Sequence, residues 1–221
     1  MANFFPAELS KDFDVVLSTI LKRTFHECPI WFSEERIEYM LTDCTITIPY
    51  RCYLLEPPES DISKLTKLQK QILFCLYTRS SDGYLREKYV RKLLSSSFEK
   101  WCVPYIVKLC DEYVVEILYV IYNSLSEKPN EEIKSFCLAN KRTICKSFSR
   151  MISYWNEYYR ADCCNVKEYV GWKLYRECLG YSRAFEKQWI DTSQLSKNRL
   201  VVDSLPKGIT VESVCLLIRG S

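Results

Sequence analysis

From Ile62 to Trp189 apolar residues recur at steps of three and four almost without a break, and this constrains the fold more than any other feature. Such a run puts most of the hydrophobic surface on helix faces, which must be buried against other helices. SKLTKLQKQILFCLYTR carries Leu65, Leu68, Ile72, Cys75 and Leu76 on one side. After the turn SDGY, LREKYVRKLL carries Leu85, Tyr89 and Leu93 with Val90 and Leu94, so the two segments predict a helical hairpin. A third helix is expected from Pro104, tolerated in a first turn, to about Leu125, before Lys128-Pro129-Asn130 ends it. A fourth is expected over about 131 to 160, where Ile144, Phe148, Met151, Trp155 and Tyr158 step by four, three, four and three. A fifth, about 166 to 189, has Val170, Leu174, Cys178, Tyr181, Phe185 and Trp189 at similar steps, with Gly171 and Gly180 permitting close packing.

The flanks read differently. ELSKDFDVVLSTILKRTF, about 8 to 25, presents a helix face at Phe13, Val16, Leu17, Ile20 and Leu21. A short second helix is expected after Ser33, with Glu34 and Glu35 in its first turn ahead of Ile37, Met40 and Leu41. The period then changes to two in CTITIPYRCYLL, which predicts one or two strands, and Glu56-Pro57-Pro58-Glu59-Ser60 breaks the chain. RLVVDSL and ITVESVCLLI, around Pro206-Lys207-Gly208, predict a terminal hairpin that pairs with CTITIPY. The expected organisation is N-terminal helices with a short strand segment over 1–58, a helical core over 59–190 and a β-hairpin-like tail over 191–221. The fold class is mainly α: a multi-helix bundle, or a helical-repeat-like stack of antiparallel helices, with a small β element.

Composition narrows the function classes. A chain with 48% hydrophobic and 27% charged residues but only 5 Gly and 8 Pro is expected to be compact. A net charge of +3 is too small to attract nucleic acid or an anionic membrane globally, so any basic site must be local. No basic leader with an apolar run and no long uncharged apolar stretch occurs, so neither secretion nor membrane spanning is expected. The richest run, WCVPYIVKLCDEYVVEILYVIY, carries Lys108, Asp111, Glu112 and Glu116 on one strip, which predicts a buried helix with one wet edge.

The 12 cysteines are expected to be free thiols in a reducing cytoplasm, with Cys75, Cys110, Cys137 and Cys178 standing where a small apolar residue would go. No CxxC occurs, Cys163 and Cys164 lack a second pair, and His26 is the single histidine, so no metal site is expected. His26-Glu27-Cys28 is too local for a triad, and no phosphate-cradling or nucleophile-elbow motif occurs. Neither a cofactor nor an enzymatic activity is expected.

DGYLREKYVRKLL followed by WCVPYIVKLCDEYVVEIL resembles HEAT-type helical-repeat proteins over about residues 62 to 125. In that family an Asp near a helix turn and an Arg early in the next helix help lock stacked pairs, and Asp82 and Arg86 match the pair. Pro104 with Asp111 would mark the following unit, while Val115 stands where a second arginine would fall. The resemblance implies a surface offered to a partner rather than a catalytic pocket. A helix-turn-helix reading of the same hairpin fails because 101 to 122 is apolar around most of its circumference, whereas a recognition helix needs exposed polar side chains.

The candidate binding residues lie in two basic clusters. Arg142, Lys146 and Arg150 fall at successive helical turns, and Tyr154 continues the line into RMISYWNEYYR, where Trp155 and Tyr158 lie on the apolar side. Arg86, Lys88, Arg91 and Lys92 form the second cluster. Such ridges can contact phosphates, with Tyr154 available for stacking, meet acidic side chains of a partner, or be plain solvated helix edge. The sequence therefore points to a non-enzymatic macromolecular binding module, an adaptor or inhibitor-type partner of another protein. A nucleic-acid binder using the basic ridge is the alternative, and no membrane role is expected.

Overall fold

The computed structural model describes residues 3–21, 31–182 and 185, and among them the protein is mainly α-helical with small antiparallel sheets. The expected terminal hairpin and its pairing with CTITIPY, the 191–221 tail, and His26 lie outside the described residues. The chain divides into two compact units, Met1–Leu109 and the residues from Cys110 on, each described by itself.

The first unit opens with α1 (Ser10–Leu21), which buries Val16, Thr19 and Ile20. Four strands follow: β1 (Trp31–Phe32), β2 (Arg36–Met40), β3 (Thr45–Pro49) and β4 (Cys52–Tyr53). β2 pairs antiparallel with β3 from Arg36↔Pro49 to Met40↔Thr45, and β1 pairs with β4. The helix expected after Ser33 is therefore strand β2. A helix that short forms few hydrogen bonds after a costly nucleation, whereas the hairpin forms a ladder and buries Tyr39 and Ile48.

Helices α2 (Glu59–Ile62), α3 (Lys67–Tyr77) and α4 (Gly83–Leu94) follow. Thr66 and Gln69 close a capping box at the start of α3. The Asp82 carboxylate caps α4 by accepting from the Tyr84 N–H at 2.8 Å. α3 and α4 pack as the expected hairpin, with Tyr77 and Tyr89 stacked at 4.6 Å between ring centroids.

Arg79 fixes the end of α3 to the sheet. It is fully buried, and its guanidinium donates to the carbonyls of Tyr50 at 2.8 Å, Thr78 at 3.1 Å and Pro49 at 3.4 Å. Its own carbonyl accepts from the Cys52 N–H. A second aromatic core gathers Phe4, Phe5, Phe13, Trp101 and Tyr105 under α1, with the Tyr105 hydroxyl donating to the Phe4 carbonyl at 2.7 Å.

The third expected helix is broken: α5 (Val103–Lys108) ends in a 3-10 turn, and α6 (Val115–Glu127) begins after an extended Val114. The predicted wet edge fails here. Lys108, Asp111 and Glu112 are buried at 2%, 4% and 2% exposure, and only Glu116 of that strip is exposed. Buried charges must be met by partners, and the backbone leaves the helix at these carboxylates, through the 3-10 turn at Leu109–Asp111 and the extended Val114.

In the second unit α6 is followed by α7 (Glu131–Ala139) and α8 (Lys141–Tyr154), so the fourth expected helix is two. Asn140 separates them: its backbone N–H and its side-chain amide both donate to the Phe136 carbonyl, at 3.1 and 3.0 Å. That local bonding is the alternative Asn offers to continued helix. Asn130 caps α7, and α8 buries Ile144, Phe148 and Met151 along the expected stripe.

α8 then widens into a π-helical turn over Trp155–Tyr159, and α9 (Val170–Lys173) widens in the same way over Leu174–Cys178. Gly171 lies against α8, where an added Cβ would meet Tyr169 Cε1 at 2.7 Å and Met151 Cγ at 2.8 Å. Gly180 ends the segment at a φ of 73°. Gly171→Val should destabilise the protein by about 3 kcal/mol, because overpacking outweighs any loss of chain freedom. Urea denaturation checks this, and a cost below about 0.5 kcal/mol would contradict the close approach.

Candidate functional site

The structure leaves few of the predicted cations free. Arg86 is 1% exposed, and its guanidinium donates to the carbonyls of Ser80 and Ser81 at 3.0 Å each, locking the turn between α3 and α4. It is a structural arginine, because the carbonyls left open by that turn are buried and need donors. Lys88 pairs with Glu56 at 2.6 Å, Arg91 with Glu87 at 2.7 Å and Lys92 with Glu59 at 3.4 Å. Lys92 also sits over the rings of Tyr89 and Phe74. The second basic cluster is thus one buried arginine and three cations neutralised by acids of the same unit.

The 142–146–150 ridge belongs to the second unit. Arg150 is held by Asp111 at 3.3 Å, with side-chain exposures of 37% and 3%. Arg142 and Lys146 are exposed and make no ion pair among the described residues. The two clusters sit in separate units, and of their cations only these two are both exposed and without a carboxylate partner among the described residues.

The ridge ends on aromatic surface. Tyr113, Tyr154 and Tyr158 form a triangle with ring centroids 6.0, 6.1 and 6.3 Å apart, packed edge to face or tilted. Tyr113 is 47% and Tyr158 58% exposed, and Tyr154 is half-buried between them. Tyr158, expected in the core, is on the surface because the π-helical turn rotates each residue through a smaller angle than an α-turn does. Trp155 stays in the core, its indole N–H donating to the Cys163 carbonyl at 2.9 Å, while Tyr158 falls short of that side. Such π-turns recur at functional sites.

The triangle is braced from beneath. The Tyr159 hydroxyl donates to the Tyr113 carbonyl at 2.6 Å, and its ring stacks on Tyr169 at 5.6 Å. Asp111, two residues before Tyr113, is tied to α8 through Arg150. Tyr113 falls in the middle of the one long helix that the sequence predicts, so no local signal marks it as exposed. Its place depends on the break between Asp111 and Val115. A smaller exposed aromatic pair, Trp31 and Tyr53, lies across β1 and β4 at 4.7 Å.

Cys75, Cys110, Cys137 and Cys178 are buried and in no disulfide, as their neighbours in the sequence implied. Burial pushes the Cys52 thiol up to about 12, despite Arg79, and Cys178 up to about 11. Both stay protonated at neutral pH, the opposite of an activated nucleophile. Among the described residues no cluster of His, Cys, Asp or Glu is arranged to hold a metal ion, and no helix is long and apolar enough to cross a membrane.

Two measurements check this accounting. Arg86→Met should cost about 3 kcal/mol by leaving two carbonyls without a donor, whereas Arg91→Met, losing one exposed pair, should cost under about 0.5 kcal/mol. Equal costs would return Arg86 to the surface. Burial works to raise the Glu56 carboxyl, but hydrogen bonds from Lys88 and Tyr89 and the charges of Lys88 and Lys92 outweigh it and hold it below its ordinary value. A depressed carboxyl gives stability that is present above its unfolded value and lost as pH falls through the folded one. Glu56→Gln should therefore lower neutral-pH stability by about 1 kcal/mol and flatten the acid limb of a stability profile.

No protein-family model matches the chain, and no curated protein or solved structure matches it.

Proposed function

We propose that this chain is a non-enzymatic protein-interaction module, an adaptor or inhibitor-type partner, whose docking surface is the tyrosine triangle at the end of α8. The observation that carries this is the fixed exposure of Tyr113 and Tyr158 beside Tyr154. Tyrosine supplies large contact area at small entropic cost, and here the rings are already held by one another, by Tyr159 and by the Asp111–Arg150 pair. Preorganised aromatic surface of this kind is typical of binding centres between proteins.

The alternative, a nucleic-acid binder, draws on Tyr154 standing in line with Arg142 and Lys146. Two free cations support only a weak version of it: at about 0.7 counterions released per phosphate on a single strand, the salt slope would be about −1.4. The mutual edge contacts among the tyrosines also occupy part of the faces on which bases would stack.

The buried thiols, in no disulfide, support a cytoplasmic, reducing setting for this role. The Asp82 cap and the Arg86 lock in the α3–α4 hairpin support the HEAT-type likeness as a further part of the proposal.

The test is to pan a random peptide library against the full chain and against its Tyr113→Ser/Tyr158→Ser variant. Peptides retained by the parent and lost on the variant are the expected result. If no peptide distinguishes the two proteins while both remain folded by circular dichroism, the tyrosine surface is not a docking site.

A further inference from the structure

We infer that the surface at α8 takes an acidic protein segment, held by its carboxylates at Arg142 and Lys146 and by an aliphatic side chain at the tyrosine triangle. This rests on the docking role proposed above and names the chemistry of the partner.

Arg142 and Lys146 are one turn apart, about 6 Å along the axis, and both project to solvent without a carboxylate partner among the described residues. Arg150, on the next turn, is paired with Asp111 at 3.3 Å. Tyr154, one turn further, begins the aromatic surface, and the π-turn carries Tyr158 onto it. The face thus has a cationic end and an aromatic end, separated by one neutralised position.

A helical partner laid along this face matches it with two carboxylates one turn apart and an aliphatic residue two to three turns beyond, about 12–16 Å away. The division of labour follows from magnitudes. Exposed ion pairs are weak beside buried aromatic contact, so Arg142 and Lys146 choose the partner and its direction, while contact on the rings supplies most of the affinity. Charge complementarity disfavours a basic partner, since among the described residues no carboxylate pairs with Arg142 or Lys146. A second copy of this chain and a single nucleic-acid strand are the competing occupants.

The experiment uses the full chain and three fluorescein-labelled helical peptides identical except at two positions one turn apart, which carry Glu, Gln or Lys. Each has a Leu two to three turns further on. An oligothymidine strand is the fourth probe. By fluorescence anisotropy, the Glu peptide should bind at least about tenfold more tightly than the Gln peptide. Arg142→Glu/Lys146→Glu should reverse the order so that the Lys peptide binds best. Arg142 lies in the first turn of α8, where an acidic side chain suits the helix dipole, and Lys146 is exposed one turn on, so the variant is expected to keep its fold, which circular dichroism checks; a merely structural role for the cations would not produce the reversal.

Equal binding of the Glu and Gln peptides, an unchanged order in the charge-reversed protein, or no peptide binding at all would overturn the inference. So would binding of the oligothymidine alone, or a concentration-dependent dimer that the reversal abolishes. Binding that is lost on Tyr113→Ser/Tyr158→Ser but indifferent to charge would leave the docking surface standing and remove only the acidic class. Binding indifferent to both changes would remove both.

Discussion

The second unit depends on the pairing of Asp111 with Arg150. Asp111 is nearly inaccessible, so its charge must be met, and the cation that meets it comes from α8. At that carboxylate the helical run is interrupted, Tyr113 stands beside Tyr154 just beyond it, and Arg150 is engaged rather than free. Three things that the functional reading needs therefore meet at one ion pair. They are the break between α5 and α6, the aromatic surface, and the division of the α8 face into a cationic and an aromatic end.

The same accounting of charges decides between ligand classes. Counted in the sequence, the basic side chains of α4 and α8 suggest a phosphate footprint. Most of them have a local fate, however: Arg86 goes to turn carbonyls, Lys88, Arg91 and Lys92 to glutamates, and Arg150 to Asp111. What remains is a small charge bias next to a large rigid aromatic contact, which suits partner selection better than counterion release.

The helical periodicity made much of the architecture legible. The core positions of the helix faces were readable, Val16 and Ile20 of α1, Ile72 and Leu76 of α3, Tyr89 and Leu93 of α4 and Ile144 and Phe148 of α8 among them, as were the α3–α4 hairpin and the alternating strand at Thr45–Pro49, whereas Leu21 is exposed and Arg86 buried against expectation. Three things were not. β2 was hidden because Glu34 and Glu35 imitate a helix start, and its identity depends on pairing with a later segment. The breaks at Asp111–Val114 and Asn140 were hidden because an apolar stripe continues through both, and only the fate of particular polar side chains stops the helix. Tyr158 was misplaced because a regular step of three and four assumes α-helical turns, and nothing in the local sequence announces a π-turn. The candidate site inherited these errors: its cationic line was visible, but its aromatic centre required the break and the π-turn together.

The most direct test is hydroxyl-radical footprinting of tyrosines in the full chain, with and without a saturating acidic helical peptide. Tyr84, 86% exposed at the start of α4, is the internal control. The account predicts protection at Tyr113, Tyr154 and Tyr158 with Tyr84 unchanged. Protection confined to the α4 region, or an unchanged pattern under conditions where the peptide is bound, would contradict it.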